Sequence, residues 1–174
     1  MTTLTAFELT PLGLFHTLVS IVAVIAAFVA IYKDGGISPR TQIGRAYLAT
    51  LLITTLTGFP IFRSGVVTPA HILGVVTLVV LAMAAAAGRP RLFGRASIYV
   101  ETISYSFTVF LLMIPTVTET LTRVPPGNPW VAGPEAPVFP PLYAALLAAF
   151  LLGATLQVRR LRGTPGGLAP RLGR

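Results

Sequence analysis

The chain has no cysteine, and its acidic side chains number only 5 against 13 lysines and arginines. Without cysteine there are no structural disulfides, no thiolate-bound metal ions and no iron–sulfur clusters. Charged residues of both signs together make up only 10% of the chain, well below the share found in soluble domains. A soluble globular domain is therefore excluded by composition.

Apolar residues take the place of the missing charge: they make up 54% of the 174 residues and give a mean hydropathy of +0.81. Five long apolar runs predict spanning helices, because roughly 20 apolar residues are needed to cross a bilayer. The predicted fold class is an all-α integral membrane protein, a bundle of five transmembrane helices with no separate soluble domain. These helices cover about residues 10–32, 46–62, 69–87, 96–122 and 142–158, and the basic tail 159–174 is predicted to be disordered.

The basic residues predict the orientation of the bundle. If the N-terminus is outside and the C-terminus cytoplasmic, all but two of the 13 fall on the inner side, and only Arg63 and Arg123 lie outside. The inner set is Lys33, Arg40, Arg45, Arg89, Arg91, Arg95, Arg159, Arg160, Arg162, Arg171 and Arg174. This asymmetry predicts a multi-pass protein of the bacterial inner membrane. Basic residues in short loops between apolar runs do not indicate nucleic-acid binding.

The two histidines, His16 and His71, fall near the outer ends of the first and third predicted helices. Two histidines from different helices in one leaflet are what axial ligation of a b-type haem requires, with Arg63 or Arg123 pairing with the propionates. The alternatives are an interhelical hydrogen bond for His16 and a helix-start role for His71. His16 shares a helix face with small residues, so we expect it to point into the bundle.

The fourth predicted helix carries a stripe of residues at spacings of three and four: Glu101, Tyr105, Thr108, Leu112, Pro115 and Glu119. The two glutamates are separated by roughly 27 Å at 1.5 Å per residue, so they cannot form a catalytic pair. Glu101 is either a functional carboxylate or an anchor that reaches Arg95, Lys33 or Arg45. Glu119 precedes Arg123 by four residues, the favourable order for a helical ion pair.

Two further helices carry polar or small-residue faces. In the second helix Tyr47, Thr50, Thr54 and Thr57 share a face, and if that face meets the fourth helix it forms a polar seam for ordered water, a quinone head group or a polar substrate. In the fifth helix Ala145, Ala149 and Gly153, followed by Gln157, form a ridge of small residues. Such a ridge packs inside the bundle or between subunits.

The segment "IPTVTETLTR", residues 114–123, combines a proline with a threonine at every second position. Alternating threonines suit a strand, whereas the spacing from Glu119 to Arg123 suits a helix. Because the segment continues a spanning helix and precedes "VPPGNP", we expect helix to about residue 122. Pro115 is expected to kink that helix, and Thr116 or Thr118 to bond the carbonyl that the proline leaves free.

The stretches "FHTLVSIVAVIAAFVAIYK", "SPRTQIGRAY" and "TPAHILGVVTLVVLA" resemble a family of small uncharacterised bacterial multi-pass membrane proteins. That family has a histidine in helix 1, a basic loop ending in Gly-Arg-x-Tyr and a histidine at the start of helix 3. The resemblance covers the first ninety or so residues and picks out His16, Gly44, Arg45, Tyr47 and His71. It implies an integral membrane protein; it implies no activity. The family often has another histidine about where Arg40 stands.

The leading functional hypothesis is a small, non-enzymatic membrane subunit or binding protein for b-type haem or quinone in the outer leaflet. The alternative is a transporter or proton-coupled carrier that uses Glu101 and Glu119. An embedded enzyme ranks third, since no nucleophile–base pair and no metal-ligand spacing is visible. Expected partners are the lipid bilayer and other membrane subunits or a second copy of the chain.

Overall fold

Five long helices make up most of the computed structural model, which describes residues 10–61 and 67–163. They are α1 (Pro11–Asp34), α2 (Gln42–Gly58), α3 (Pro69–Ala87), α4 (Ser97–Arg123) and α5 (Phe139–Gly163). A four-residue helical turn, Pro90–Phe93, and a 3-10 turn, Gly94–Ala96, connect α3 to α4. The described residues contain no strand, which confirms the all-α prediction.

Capping signals fix where the helices begin. Thr10 and Thr41 each accept a hydrogen bond of 3.1 Å from the backbone N–H three residues later, as N-cap residues do. Because Thr41 is the cap, α2 begins at Gln42 and not near residue 46 as predicted. α3 begins at Pro69, after the cap Thr68, as predicted.

The fifth helix is longer than predicted at both ends, Phe139–Gly163. Residues 159–163, which the sequence analysis assigned to a disordered tail, are helical; the rest of that tail lies outside the described residues. The physical reason is that Arg160 and Arg162 stand in the last turn, where cations complement the helix dipole.

Four helices in the described ranges are long and apolar enough to cross a membrane: α1, α3, α4 with its preceding 3-10 turn, and α5. The prediction of five such helices is therefore supported for four. α2 differs because it has only 17 residues, and threonines occupy positions 50, 54, 55 and 57. Its polar side chains lower the hydropathy that a spanning helix needs.

On α1, helix packing puts small residues inside and large apolar residues outside. α1 packs mainly on α2, whereas α3 and α5 pack mainly on α4. On α1 the buried positions are alanines, namely Ala23, Ala26, Ala27 and Ala30. On the outer faces Ile25, Val79 and Leu152 are 58%, 62% and 64% exposed. Close backbone contact through small residues, with large apolar side chains on the outer faces, is typical of helices packed in lipid.

Contacts between the helices and their connections define two ends of the bundle. At the Glu101 end, Arg40 before α2 pairs with Glu101 near the start of α4, and Gln157 late in α5 donates to the carbonyl of Gly35 after α1. At the His16 end, His16 near the start of α1 contacts α2 near its last turn, and His71 in the first turn of α3 bonds a carbonyl just after α2. The five helices therefore alternate in direction.

Candidate functional site

His16 lies half-buried between α1 and α2 within a cluster of hydroxyl groups. Its Nδ1 is 3.2 Å from Thr57 Oγ1 and 3.3 Å from Thr54 Oγ1. One turn along α1, Ser20 donates to the His16 carbonyl at 2.8 Å and also forms a short hydrogen bond with Thr54. The interhelical hydrogen bond expected as one alternative for His16 is present, and Ser20, which shares the helix face of His16, also belongs to the cluster.

Counting hydrogens assigns the tautomer of His16. Thr57 donates its single hydroxyl hydrogen to the carbonyls within its own helix, at 2.8 Å to Ile53. Thr57 Oγ1 can therefore only accept the hydrogen bond from His16, so the hydrogen is on Nδ1 of the imidazole. In the neutral ring Nε2 then holds a lone pair, and no described residue donates to it. His16 thus presents a hydrogen-bond acceptor beside the hydroxyl cluster.

The space around the His16 ring depends on Gly58, the last residue of α2. A Cβ atom placed on Gly58 would lie 3.3 Å from His16 Cε1, so any larger residue would press on the imidazole. Glu119 and Arg123 lie in the last turns of α4, at the same end of the bundle as His16.

Glu119 and Arg123 form the predicted ion pair across one helical turn. The Glu119 side chain is 55% exposed and that of Arg123 28% exposed, so the pair lies at the surface of the His16 end. An exposed pair of this kind contributes little to stability, about 0.3–0.5 kcal/mol. Its charges nevertheless give this end of the apolar bundle a polar rim.

His71 has a structural role in the first turn of α3. Its Nδ1 accepts from the Thr68 backbone N–H at 3.1 Å, and its Nε2 donates to the Phe59 carbonyl at 3.2 Å. These bonds form a capping box and tie α3 to the end of α2. A haem ligated by both histidines would have to break a bond of His71. Arg63, the other residue of the haem hypothesis, lies outside the described residues.

Glu101 is buried, with its side chain 6% exposed, and Arg40 holds it in a two-pronged ion pair. The two N–O distances are 3.0 and 3.2 Å, the fork geometry that makes arginine–carboxylate pairs strong. The partners proposed from the sequence were Arg95, Lys33 and Arg45, and this was wrong. Arg40, Lys33 and Arg45 are all distant from Glu101 in sequence, and only the packing of the α1–α2 connection on α4 selects Arg40 among them.

The surroundings of Glu101 are tightly packed. A Cβ atom on Gly88, at the end of α3, would lie 3.3 Å from Glu101 Oε1. Tyr105, one turn further along α4, is 4% exposed. Glu101 pairs with Arg40 and Glu119 pairs with Arg123, so both glutamates of the carrier hypothesis have an arginine partner within the chain.

The predicted polar face of α2 is divided between two neighbours. Tyr47, which is fully buried, donates a hydrogen bond to Thr108 at 2.8 Å. The Thr108 hydroxyl in turn donates to the Tyr105 carbonyl at 2.6 Å. Thr54 and Thr57 instead face α1 and His16. Thr50 bonds the carbonyls of Ala46 and Tyr47 in its own helix. Within the described residues, the hydrogen bond between this face and α4 is therefore the pair of Tyr47 and Thr108.

The ridge of small residues on α5 faces outward. Ala145 and Ala149 are exposed, and a Cβ atom on Gly153 would meet nothing within 4 Å. Gln157 instead links α5 to the rest of the bundle. Its side chain accepts a hydrogen bond from Ser106 of α4 at 2.9 Å and donates one to the carbonyl of Gly35, after α1, at 3.1 Å. Close packing of α5 on the bundle therefore does not use the ridge.

Three comparisons complete the description of the site. The chain has no significant match among protein-family models, curated proteins or solved structures. Within the described ranges no three His, Asp or Glu side chains come together as a metal site would require. Among the described residues, the hydroxyl cluster around His16 is the arrangement best suited to bind a ligand.

Proposed function

We propose that the chain is an integral protein of the bacterial inner membrane whose five helices all cross the bilayer, with the N-terminus outside and the C-terminus cytoplasmic. The apolar exterior of the four long helices supports insertion. The Glu101 end gathers most of the described basic residues, including Lys33, Arg45 and Arg160, whereas Arg123 lies at the His16 end. By the positive-inside rule the Glu101 end is cytoplasmic.

α2 belongs to this set in spite of its polar side chains. Its 17 residues extend over about 26 Å at 1.5 Å per residue, close to the hydrocarbon thickness of about 30 Å. It begins beside Arg40 at the Glu101 end and ends beside His16 and His71 at the other. Its hydroxyls are satisfied by its own carbonyls or by neighbours, as with Thr55, which donates to Leu51 at 2.8 Å.

We further propose that this protein is a non-enzymatic binding protein for a lipid-soluble quinone, held in its reduced quinol form at His16. The observation that carries the proposal is the acceptor Nε2 of a half-buried histidine whose other nitrogen is fixed by Thr57. A quinol hydroxyl donates to such an acceptor. The exposed apolar side chains of Phe15 and Val22 on α1 offer a surface for the isoprenoid tail.

The site's chemistry is recognition of a donor group in an apolar setting. His16 accepts the quinol hydrogen, the hydroxyl cluster keeps the imidazole in one tautomer, and Gly58 leaves room beside the ring. A hydrogen bond formed away from water makes the site selective for ligands with a hydroxyl group, because a ligand without one leaves the buried acceptor unpaired. The oxidised quinone, which has no hydroxyl, should bind more weakly.

The test is quinol binding to the purified protein in detergent. Decylubiquinol should bind the native protein more tightly than decylubiquinone, and His16→Ala should weaken quinol binding by about two- to tenfold, the effect of one net hydrogen bond. Gly58→Val should weaken it as well, by crowding the ring. Thr17→Val is the matched control, because Thr17 bonds only its own helix at Gly13. Equal affinity of the native and His16→Ala proteins would refute the quinol site.

A spectrum of the same preparation tests the haem hypothesis. Haem held by both histidines should give a reduced Soret and alpha band that is lost in His16→Ala and in His71→Ala. A colourless protein from haem-replete cells, together with quinol binding, would support the quinone assignment.

A further inference from the structure

A groove of about 560 Å³ lies between the last turns of α1 and the first turn of α2, at the Glu101 end. It is an open groove on the outside of the bundle and not an enclosed cleft, so a ligand bound there would stay partly exposed to the surroundings. Val29, Ile43 and Ala46 supply its apolar walls, and Lys33, Asp34 and Gln42 supply its polar rim. The groove is far from His16, which lies near the start of α1.

The groove stands where the apolar side of the bundle meets its charged end. Phe28, one turn before Tyr32 on α1, is 53% exposed. Tyr32, which precedes Lys33, is 90% exposed. Exposed tyrosines are characteristic of the level of the lipid head groups. A ligand in this groove would therefore have its polar part at the rim and its apolar part along the walls.

The charge at this end selects the sign of the ligand. In the described ranges the acidic residues of the Glu101 end are Asp34 and Glu101, and Glu101 is neutralised by Arg40. Lys33 lines the rim, and the N-terminus of α2, which carries positive potential, borders the groove through Thr41 and Gln42. Arg45 lies in the first turn of α2, outside the lining. Asp34 opposes this field, but the basic residues of the end exceed it.

We propose that this groove binds an anionic phospholipid of the surrounding leaflet. Lys33 and the Gln42 amide hold the phosphate, and the acyl chains lie against Val29, Ile43 and Ala46. Polybasic segments next to membrane helices attract anionic head groups in the same way, at ~1 kcal/mol per basic residue. The inference depends on the proposed membrane location and is independent of the quinol site.

Lipid retention by the delipidated full-length protein in neutral detergent tests this inference. Phosphatidylglycerol and phosphatidylcholine are titrated separately, and bound lipid is counted by native mass spectrometry. The native protein should retain phosphatidylglycerol preferentially. Lys33→Gln should weaken that binding about fivefold, the equivalent of ~1 kcal/mol, and Asp34→Asn should strengthen it by removing the opposing charge.

Matched variants separate a groove from a diffuse charge effect. Arg162→Gln removes one charge at the same end but outside the groove, so it should leave retention close to native. Ala46→Phe should block the walls, whereas Ala85→Phe, on the exposed side of α3, should not. Equal losses in Lys33→Gln and Arg162→Gln, equal retention of both lipids, or displacement by millimolar inorganic phosphate would each overturn the proposal.

Two controls keep this test distinct from the earlier proposals. His16→Ala should bind phosphatidylglycerol as the native protein does. Release of the chain from membranes by alkaline carbonate would overturn the membrane location itself. A chain that stays in the membrane without lipid selectivity would overturn the groove assignment alone.

Discussion

At the scale of single residues, the pair of Arg40 and Glu101 shows how a carboxylate is kept inside an apolar bundle. The Arg40 side chain is 62% exposed and that of Glu101 only 6%, so the arginine reaches from the surface to a buried charge. Losing one partner of such a pair leaves the other charge uncompensated, which costs more than the pair contributes. The two residues should therefore respond asymmetrically to substitution.

Arg40→Ala should lower the thermal unfolding midpoint in detergent, because Glu101 loses its partner while it stays buried. We expect a cost of about 3 kcal/mol, the lower end of the range for removing one partner of a buried ion pair, because Arg40 itself is largely exposed. Arg45→Ala, which removes an exposed arginine from the same end, is the control and should change little. Adding Glu101→Gln to Arg40→Ala should restore part of the stability. Identical midpoints for the two arginine variants would contradict this account.

At the scale of helices, the threonines of α4 explain how an alternating sequence stays helical. Each of Thr116, Thr118, Thr120 and Thr122 donates its hydroxyl to the carbonyl four residues earlier, at 2.7 or 2.8 Å. The helix accordingly continues to Arg123 with Pro115 inside it. The carbonyl four residues before Pro115 belongs to Leu111, whereas Thr116 and Thr118 bond those of Leu112 and Ile114. The expectation that either threonine serves the freed carbonyl was therefore wrong.

Thr118 differs from the other three because it also links α4 to α5. Its hydroxyl donates to Ile114, so Tyr143 must donate to Thr118, at 2.6 Å. Thr118→Val keeps the shape but removes that acceptor. It should destabilise the protein by about 0.6 kcal/mol, the average for interhelical hydrogen bonds in membranes, and by no more than about 1.7 kcal/mol. Thr120→Val, at an exposed position that bonds only its own helix, should be neutral. Reversible unfolding in mixed micelles measures both, and equal effects would argue against the link.

At the scale of the whole molecule, alternating helices and one basic end determine the proposed topology. The connection from α4 to α5 lies at the end that carries Arg123, and it includes Trp130, which is 66% exposed. A tryptophan at this level suits a membrane interface. The connection from α1 to α2 lies at the opposite, basic end.

The absence of native cysteine makes this topology directly measurable. A single cysteine in place of Asn128, between α4 and α5, should react in intact cells with a maleimide that cannot cross the membrane. A cysteine in place of Ser38, between α1 and α2, should react only after the cells are opened. The reverse pattern would invert the assigned orientation, and labelling of both positions in intact cells would reject the alternating topology.

Some features of the site could be predicted from local sequence. The ion pair of Glu119 and Arg123 depends on a spacing of four, and the helix start at Thr68 depends on adjacent residues. The partner of Glu101 and the role of Gln157 could not be predicted in this way. Both depend on contacts across 61 and 122 residues, for which no spacing in one sequence gives a signal.

The sequence alone determined that the chain is all-helical and apolar enough for a membrane, because composition and helix caps are local properties. Only the tertiary structure decided which polar groups meet: Tyr47 with Thr108, His16 with Thr54 and Thr57, and Arg40 with Glu101. The physical reason is that a polar side chain in an apolar bundle must find a partner, and the rotation and depth of each packed helix choose that partner.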